Sequence, residues 1–164
     1  VTRIRQRAVA ARHRAPVIIM HMQGTPDTMQ KNPQYENVVE EIITYVEKQA
    51  ALAWEAGIEQ IIIDPGIGFG KTVQHNLAIL RHLGEFRRLG YPVMIGVSRK
   101  SFLQKISGTA TGDAAEATLA AEAIAGYNGA DIIRTHDVAV ALRAITIAEA
   151  IRNAAYMLRG VNRL

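Results

Sequence analysis

Apolar residues fall into two patterns along this chain. Four short, nearly continuous apolar runs, Val17-Ile18-Ile19-Met20, Ile61-Ile62-Ile63, Val93-Met94-Ile95 and Asp131-Ile132-Ile133, read as strands covered on both faces, as in a parallel sheet. Between them, apolar positions recur at the three- and four-residue spacing of amphipathic helices. From about Glu36 to Ala56 the stripe is Val39, Ile42, Ile43, Val46, Ala50, Ala53 and Trp54, with Gly57 as a stop. Leu77, Leu80, Leu83 and Phe86 mark a second helix, ended near Gly90 with Pro92 beyond it. Asp113 is placed to cap a third, Ala-rich helix running through Leu119 and Ile124 toward Gly129. A fourth, from about Val138 to Leu158, is expected to bury Leu142, Ile145, Ala148, Ile151 and Tyr156. A leading helical stretch over residues 1–15 turns Ala8, Val9, Ala10 and Ala11 inward.

The fold class is therefore α/β: one domain over 1–164, a leading helix followed by four strand–helix units over 16–164. Each unit takes roughly 30 to 45 residues, the length of a parallel unit with a right-handed crossover. Four units suit half of a closed eight-stranded barrel or a small open sheet, and periodicity does not choose between them.

Polar residues gather where each strand ends. The first strand runs into Met20-His21-Met22-Gln23-Gly24 and the second into Asp64-Pro65-Gly66-Ile67-Gly68-Phe69-Gly70-Lys71. The third leads to Ser98-Arg99-Lys100-Ser101, and the fourth to Arg134-Thr135-His136-Asp137. Parallel strands share one carboxyl-end face, so the four clusters are expected to converge. Cations brought together there repel unless an anion sits among them, and phosphate or diphosphate suits Arg and Lys.

Plainer readings stand beside these. Asp64 before Pro65 is also an ordinary turn residue or cap, and Lys71 could meet an anion or face water. Arg134 and His136 could bind an anion or pair with Asp137. His21, between two Met residues, reads as a packed histidine rather than a base, and His13, His75 and His82 as surface groups. The Gly-rich segment is no nucleotide loop: Pro65 and Lys71 stand where the Walker and dinucleotide patterns need glycine. No HExxH pattern or close His/carboxylate spacing suggests an all-protein metal cage, so a metal would need the ligand's own oxygens.

Composition narrows the field. Of 164 residues, 49% are hydrophobic and 21% charged, which excludes intrinsic disorder. The formal charge of +4 comes from Arg3, Arg5, Arg7, Arg12 and Arg14, without which the chain is nearly neutral. That local basic face and 5% aromatic content argue against nucleic acid. No apolar run is long enough to cross a membrane and no apolar targeting stretch opens the sequence. The absence of Cys fits a reducing compartment, so the cytoplasm is expected.

In order and spacing, the four clusters, with Thr28-Met29-Gln30 beyond the first, resemble the second half of the dihydropteroate synthase family of pterin-binding enzymes. The resemblance implies the last four strands of a (β/α)8 barrel. It implies a transferase of folate biosynthesis that condenses 6-hydroxymethyl-7,8-dihydropterin diphosphate with 4-aminobenzoate and releases diphosphate. By motif position, Asp64 would bind the pterin's amino-pyrimidine edge and Lys100 its carbonyl oxygen. Met20 and Phe69 would wall the ring, and Gly68 would permit close approach. Arg134 and His136 would hold the diphosphate, while Ser101 and Arg99 would border the aminobenzoate pocket. Lys100, Arg134 and His136 are thereby the catalytic candidates. Mg2+ is implied through the substrate diphosphate and an Asn absent from this chain, and a homodimer is implied for the intact enzyme. The family's first four strands are not in this sequence, so activity of the chain alone is in question, and with its strand edges unpaired the chain is expected to self-associate, to be only marginally ordered, or to need the other half. A non-catalytic pterin-binding half-barrel and a pterin-dependent methyltransferase relative are the alternatives.

Overall fold

The computed structural model describes residues 4–108 and 114–161, with side chains described at 6–108 and 114–154. Arg3, the Asp113 cap and the Arg5, Tyr156 and Leu158 side chains lie outside the described residues. Helix α1 (Ile4–Arg12) leads into β1 (Val17–Met20), α2 (Val38–Glu55), β2 (Ile61–Asp64) and α3 (Val73–Arg81). After a 3-10 helix (Leu83–Leu89) come β3 (Met94–Ile95), α4 (Ser101–Ser107), α5 (Ala115–Tyr127), β4 (Ile132–Ile133) and α6 (Val138–Val161).

All strand pairings are parallel. Val17 to Met20 lie opposite Ile61 to Asp64, and Met94-Ile95 opposite Ile132-Ile133. A parallel bridge from Ile63 to Val93, with Ile63 N–H donating to Pro92 O at 2.9 Å, joins the two pairs. Spatial order therefore follows chain order, β1-β2-β3-β4. A doubly wound open sheet would reverse direction at a switch point, whereas a barrel adds each strand beside the last. The choice that periodicity left open falls to the barrel arc. Along β1, Ile19 is buried toward α2 while Ile18, on the other face, is 49% exposed.

Helix α2 follows its pattern. Asn37 caps it by accepting from Glu40 N–H at 3.2 Å, and Val39, Ile42, Ile43, Val46, Ala50 and Ala53 are buried. Trp54 is not: it lies at the stripe's edge in the last turn and is 60% exposed. The second helix divides into α3 and the 3-10 helix. Asn128 Nδ2 donates to Leu80 O at 2.7 Å, taking a carbonyl that a continuing α-helix would bond to Gly84 N–H. Leu80, Leu83 and Phe86 remain buried and Leu77 faces outward. Helix α4 carries no sequence expectation, being too short to show a period.

The fourth helix turns differently from its apolar pattern. Ala141 and Ala148 are buried, and Ile145 packs so close to Gly126 of α5 that a Cβ there would meet its Cγ2 at 3.2 Å. Small residues on α5 and α6 let the two helices approach, and this leaves Leu142 (62% exposed) and Ile151 outside. In α1, Ala10 and Ala11 pack on the core, whereas Ala8 and Val9 are exposed. Ile124 is likewise exposed on α5. Among the described residues, no helix is long and apolar enough to cross a membrane.

Candidate active site

The four strand ends do meet. Asp64 closes β2 opposite Met20 at the end of β1 and is 3% exposed. Its Oδ1 accepts from Gly66 N–H at 2.8 Å, and Arg134 Nη2, arriving from the end of β4, lies 3.8 Å from Oδ2. Burial pushes the Asp64 carboxyl up; the Gly66 N–H, Arg134, Lys100 and Lys71 pull against it. Arg134 reaches across β3 because Gly96 has no side chain: a Cβ there would meet its Nη2 at 2.7 Å.

Lys100, at the amino end of α4, lies along Gly68 and sets its Nζ 4.1 Å from the centre of the Phe69 ring. Burial and the charge of Arg134 push its ammonium down, and Asp64 opposes them. Asp64, Lys100 and Arg134 thus converge as the strand register requires. Ser101 is exposed at the start of α4, on a cleft of about 340 Å³ that it shares with Gln30, Gly68, Asn76 and Lys105. Arg99 stands at φ 57°, left-handed for a residue with a side chain, and its N–H donates to Thr118 Oγ1 at 3.0 Å.

Neither Arg134 nor His136 takes Asp137 as its hydrogen-bond partner. Asp137 instead accepts from Val140 N–H at 3.2 Å at the start of α6. His136 Nδ1 lies 2.8 Å from Ser98 Oγ. The two residues therefore sit over Gly96 and Ser98, two positions apart on the neighbouring chain, and share a side as their spacing requires.

Of the two readings for Lys71, burial excludes that of a side chain facing water. Lys71 is 4% exposed, with Nζ 3.0 Å from His21 Nδ1 and donating to Phe69 O at 3.0 Å. Burial depresses its pKa to about 7, against the pull of Asp64, and burial with the Lys71 charge depresses His21 to about 3. His21 is the packed histidine the sequence suggested, and it joins Lys71 in pinning the Gly-rich loop to β1. Gly66 shows why that loop is glycine-rich. At φ 74°, a Cβ there would lie 1.8 Å from His21 O. The close approach is to the protein's own backbone. His13 and His82 are exposed, but His75 is half-buried, completing the Thr72 capping box of α3 and stacking edge-on at 4.9 Å from Tyr35.

Two supporting residues escaped the sequence reading. Asn76, buried on α3, accepts from Gly68 N–H at 2.8 Å, beside Gln30 of the loop motif, which donates to Gly68 O at 2.7 Å. Glu122 is fully buried on α5. In each helix the available signal was one polar residue on an otherwise apolar face. Among the described residues, no three His, Cys, Asp or Glu groups cluster to hold a metal.

The profile of the pterin binding enzyme family matches residues 3–136. The chain belongs to this family. Pterin-binding relatives include the dihydropteroate synthases of Haemophilus influenzae, 44% identical over 141 residues (85% of this chain, 51% of that protein), and of Escherichia coli, 41% identical over 143 residues (86% and 51%). The chain thus spans about half the length of the curated relatives it matches. Dihydropteroate synthase from Thermus thermophilus in complex with 6HMPPP superposes with a TM-score of 0.86 at 39% identity, covering 92% of this chain and 61% of that one. The Yersinia pestis enzyme with a sulfonamide drug superposes at 0.87 and 36% identity, over 91% and 55%. These barrel neighbours agree with the chain-order parallel arc, an α/β fold with seven helical segments among the described residues.

Proposed function

We propose that this chain supplies the pterin- and diphosphate-binding half of a dihydropteroate synthase-type transferase of folate biosynthesis, acting in the cytoplasm. The observation that carries this is the buried Asp64 carboxylate with Arg134 beside it and Lys100 near both. An amino-pyrimidine presents paired N–H donors that a carboxylate accepts, and a diphosphate needs the cations. A Thermus thermophilus relative crystallised with 6HMPPP, and another crystal of it with 4-aminobenzoate, support this substrate pair.

In this reading the pterin ring lies between Met20 and Phe69, with Asp64 on its amino-pyrimidine edge and Lys100 on its carbonyl oxygen. Arg134 and His136 face the diphosphate; Ser101 and Arg99 border the aminobenzoate. The aromatic amine nitrogen forms a bond to the exocyclic methylene carbon as the carbon–oxygen bond breaks. Diphosphate departs with the electron pair and the amine's proton passes to solvent. No protein nucleophile is required, so the work of these residues is orientation and stabilisation of the leaving charge. Among the described residues no His, Cys, Asp or Glu cluster would hold a metal, so Mg2+ would be held by the substrate diphosphate, whose leaving charge it would help neutralise. The exposed apolar side of α6 that carries Ile147 and Ile151, one turn apart, is the surface we assign to a homodimer.

The test is calorimetric titration of the chain and of Asp64→Asn with 6-hydroxymethyl-7,8-dihydropterin diphosphate, followed by turnover with 4-aminobenzoate and Mg2+. Binding that weakens at least tenfold in the variant supports the reading, since a neutral amide meets the paired donors with one acceptor. Equal binding by both chains, or none by the parent, overturns it. Binding without turnover assigns this chain the binding half of the task only.

A further inference from the structure

Among the described residues, the buried side-chain polar atoms without a hydrogen-bond partner are the two Glu122 carboxylate oxygens. An unpaired buried carboxyl is costly, and this one lies behind the strand-end cluster. It lines a cavity of about 100 Å³ together with Ser98, Thr118, Thr135 and His136. Ala115, Leu119 and Val140 form the apolar part of its wall, so the polar groups are gathered on the rest of the lining, and the volume is large enough for water.

The hydroxyls around it share a property. Thr118 Oγ1 accepts from Arg99 N–H at 3.0 Å, Thr135 Oγ1 from Asp137 N–H at 3.3 Å, and Ser98 Oγ from His136 N–H at 3.4 Å. Each oxygen already receives a backbone proton and keeps its own to give. The wall thus holds three donors and, in Glu122, a carboxyl acceptor. If Ser98 gives its proton toward Glu122 through water, its oxygen must accept from the ring nitrogen 2.8 Å away. His136 then carries its proton on Nδ1, and Nε2 is left for whatever anion arrives.

We propose that Glu122 is a positioning residue: through the hydroxyl-lined cavity and Ser98 it holds His136 with Nδ1 protonated, so that Nε2 can take a proton from water and meet the diphosphate as a cation. The role of His136 toward diphosphate rests on the function proposed above; the link from Glu122 to the ring does not. The charged groups facing Glu122 are His136 and Asp137 from the β4–α6 connection and Arg99, which lines the cavity from the β3–α4 connection; α6 adds Val140. Burial pushes the Glu122 carboxyl up, as does the charge of Asp137, while His136 favours its charged form. An acceptor so placed gains from a positive ring nearby.

Ring-nitrogen shifts of His136 in the 15N-labelled chain test this without any ligand. The parent is expected in the Nδ1–H form when the ring is neutral, and Glu122→Leu in the Nε2–H form, with Ser98 turning its proton back to the ring. In the isosteric Glu122→Gln, which leaves one acceptor and adds N–H donors to the cavity, the share of His136 in the Nδ1–H form is expected to fall. An Nε2–H parent overturns the proposal, as does Glu122→Leu that folds and keeps the parent tautomer. Should Glu122→Leu not fold, Glu122→Gln decides, and an unchanged tautomer ratio overturns it. A burial defect alone would move neither reading. Titration with inorganic diphosphate then separates the two claims: a tautomer switch in a chain that ignores diphosphate upholds the Glu122 link and overturns the diphosphate reading.

Discussion

Replacing Lys71 with Met isolates the buried pair that pins the Gly-rich loop. Lys71 is depressed to about 7 from an unfolded value of 10.5. Below pH 7 both states hold the proton, and the folded state bears the full penalty of a buried ammonium. Between 7 and 10.5 the unfolded chain holds more protons than the folded one, so stability rises with pH. From pH 7 to 9 this amounts to about 2 kcal/mol, at about 1.4 kcal/mol per pKa unit. His21, depressed to about 3, adds its own dependence only below its unfolded value of 6.5, outside this window. At any one pH the sign of Lys71→Met is a contest. The ammonium's desolvation is removed, while Phe69 O and His21 Nδ1 lose the partner 3.0 Å away. The slope is therefore the diagnostic quantity. Urea denaturation at pH 7, 8 and 9 should show the parent gaining about 2 kcal/mol and the variant staying nearly level. Equal slopes in the two chains refute the buried-ammonium argument. The loop carries Phe69 and Gly68, so pterin affinity should also fall in the variant.

Gly66→Ala places a Cβ 1.8 Å from His21 O at a left-handed φ, and should cost about 3 kcal/mol or more, read from the urea midpoint. Arg134→Gln removes the cation beside Asp64 and should weaken inorganic diphosphate binding about tenfold by calorimetry, with a smaller salt dependence than the parent. Paired Ile147→Glu and Ile151→Glu substitutions, one turn apart on the exposed side of α6, should lower the mass measured by light scattering while leaving the circular dichroism spectrum unchanged, because neither side chain belongs to the core.

The strands were legible because they are short runs apolar throughout, although Ile18 shows that one face of β1 is left open here, and the polar clusters were legible because they interrupt those runs abruptly. Asp64, Lys100, Arg134 and His136 could thus be read as neighbours from strand direction alone, and the structure brings their strand ends together. Local pattern also located α2, since one wide apolar stripe admits one buried face. On α6 it placed Ile145 and Ala148 correctly but misled for Leu142 and Ile151, which look outward because Ala141 and Ala148 permit the closer approach to α5. It was silent on the break after α3, which depends on an Asn128 bond to a carbonyl 48 residues away.

Sequence by itself determined the strand–helix alternation, the end of each strand where chemistry collects, and the residue types available there. Tertiary structure decided the strand order, through one bridge between Ile63 and Val93, and with it a barrel arc in place of an open sheet. It also decided which partner each buried polar group meets: His21 for Lys71, Ser98 for His136, and a small hydroxyl-lined cavity for Glu122. Periodicity records which side of an element avoids water. Pairings between distant segments depend on distances across the fold, and no local pattern encodes those.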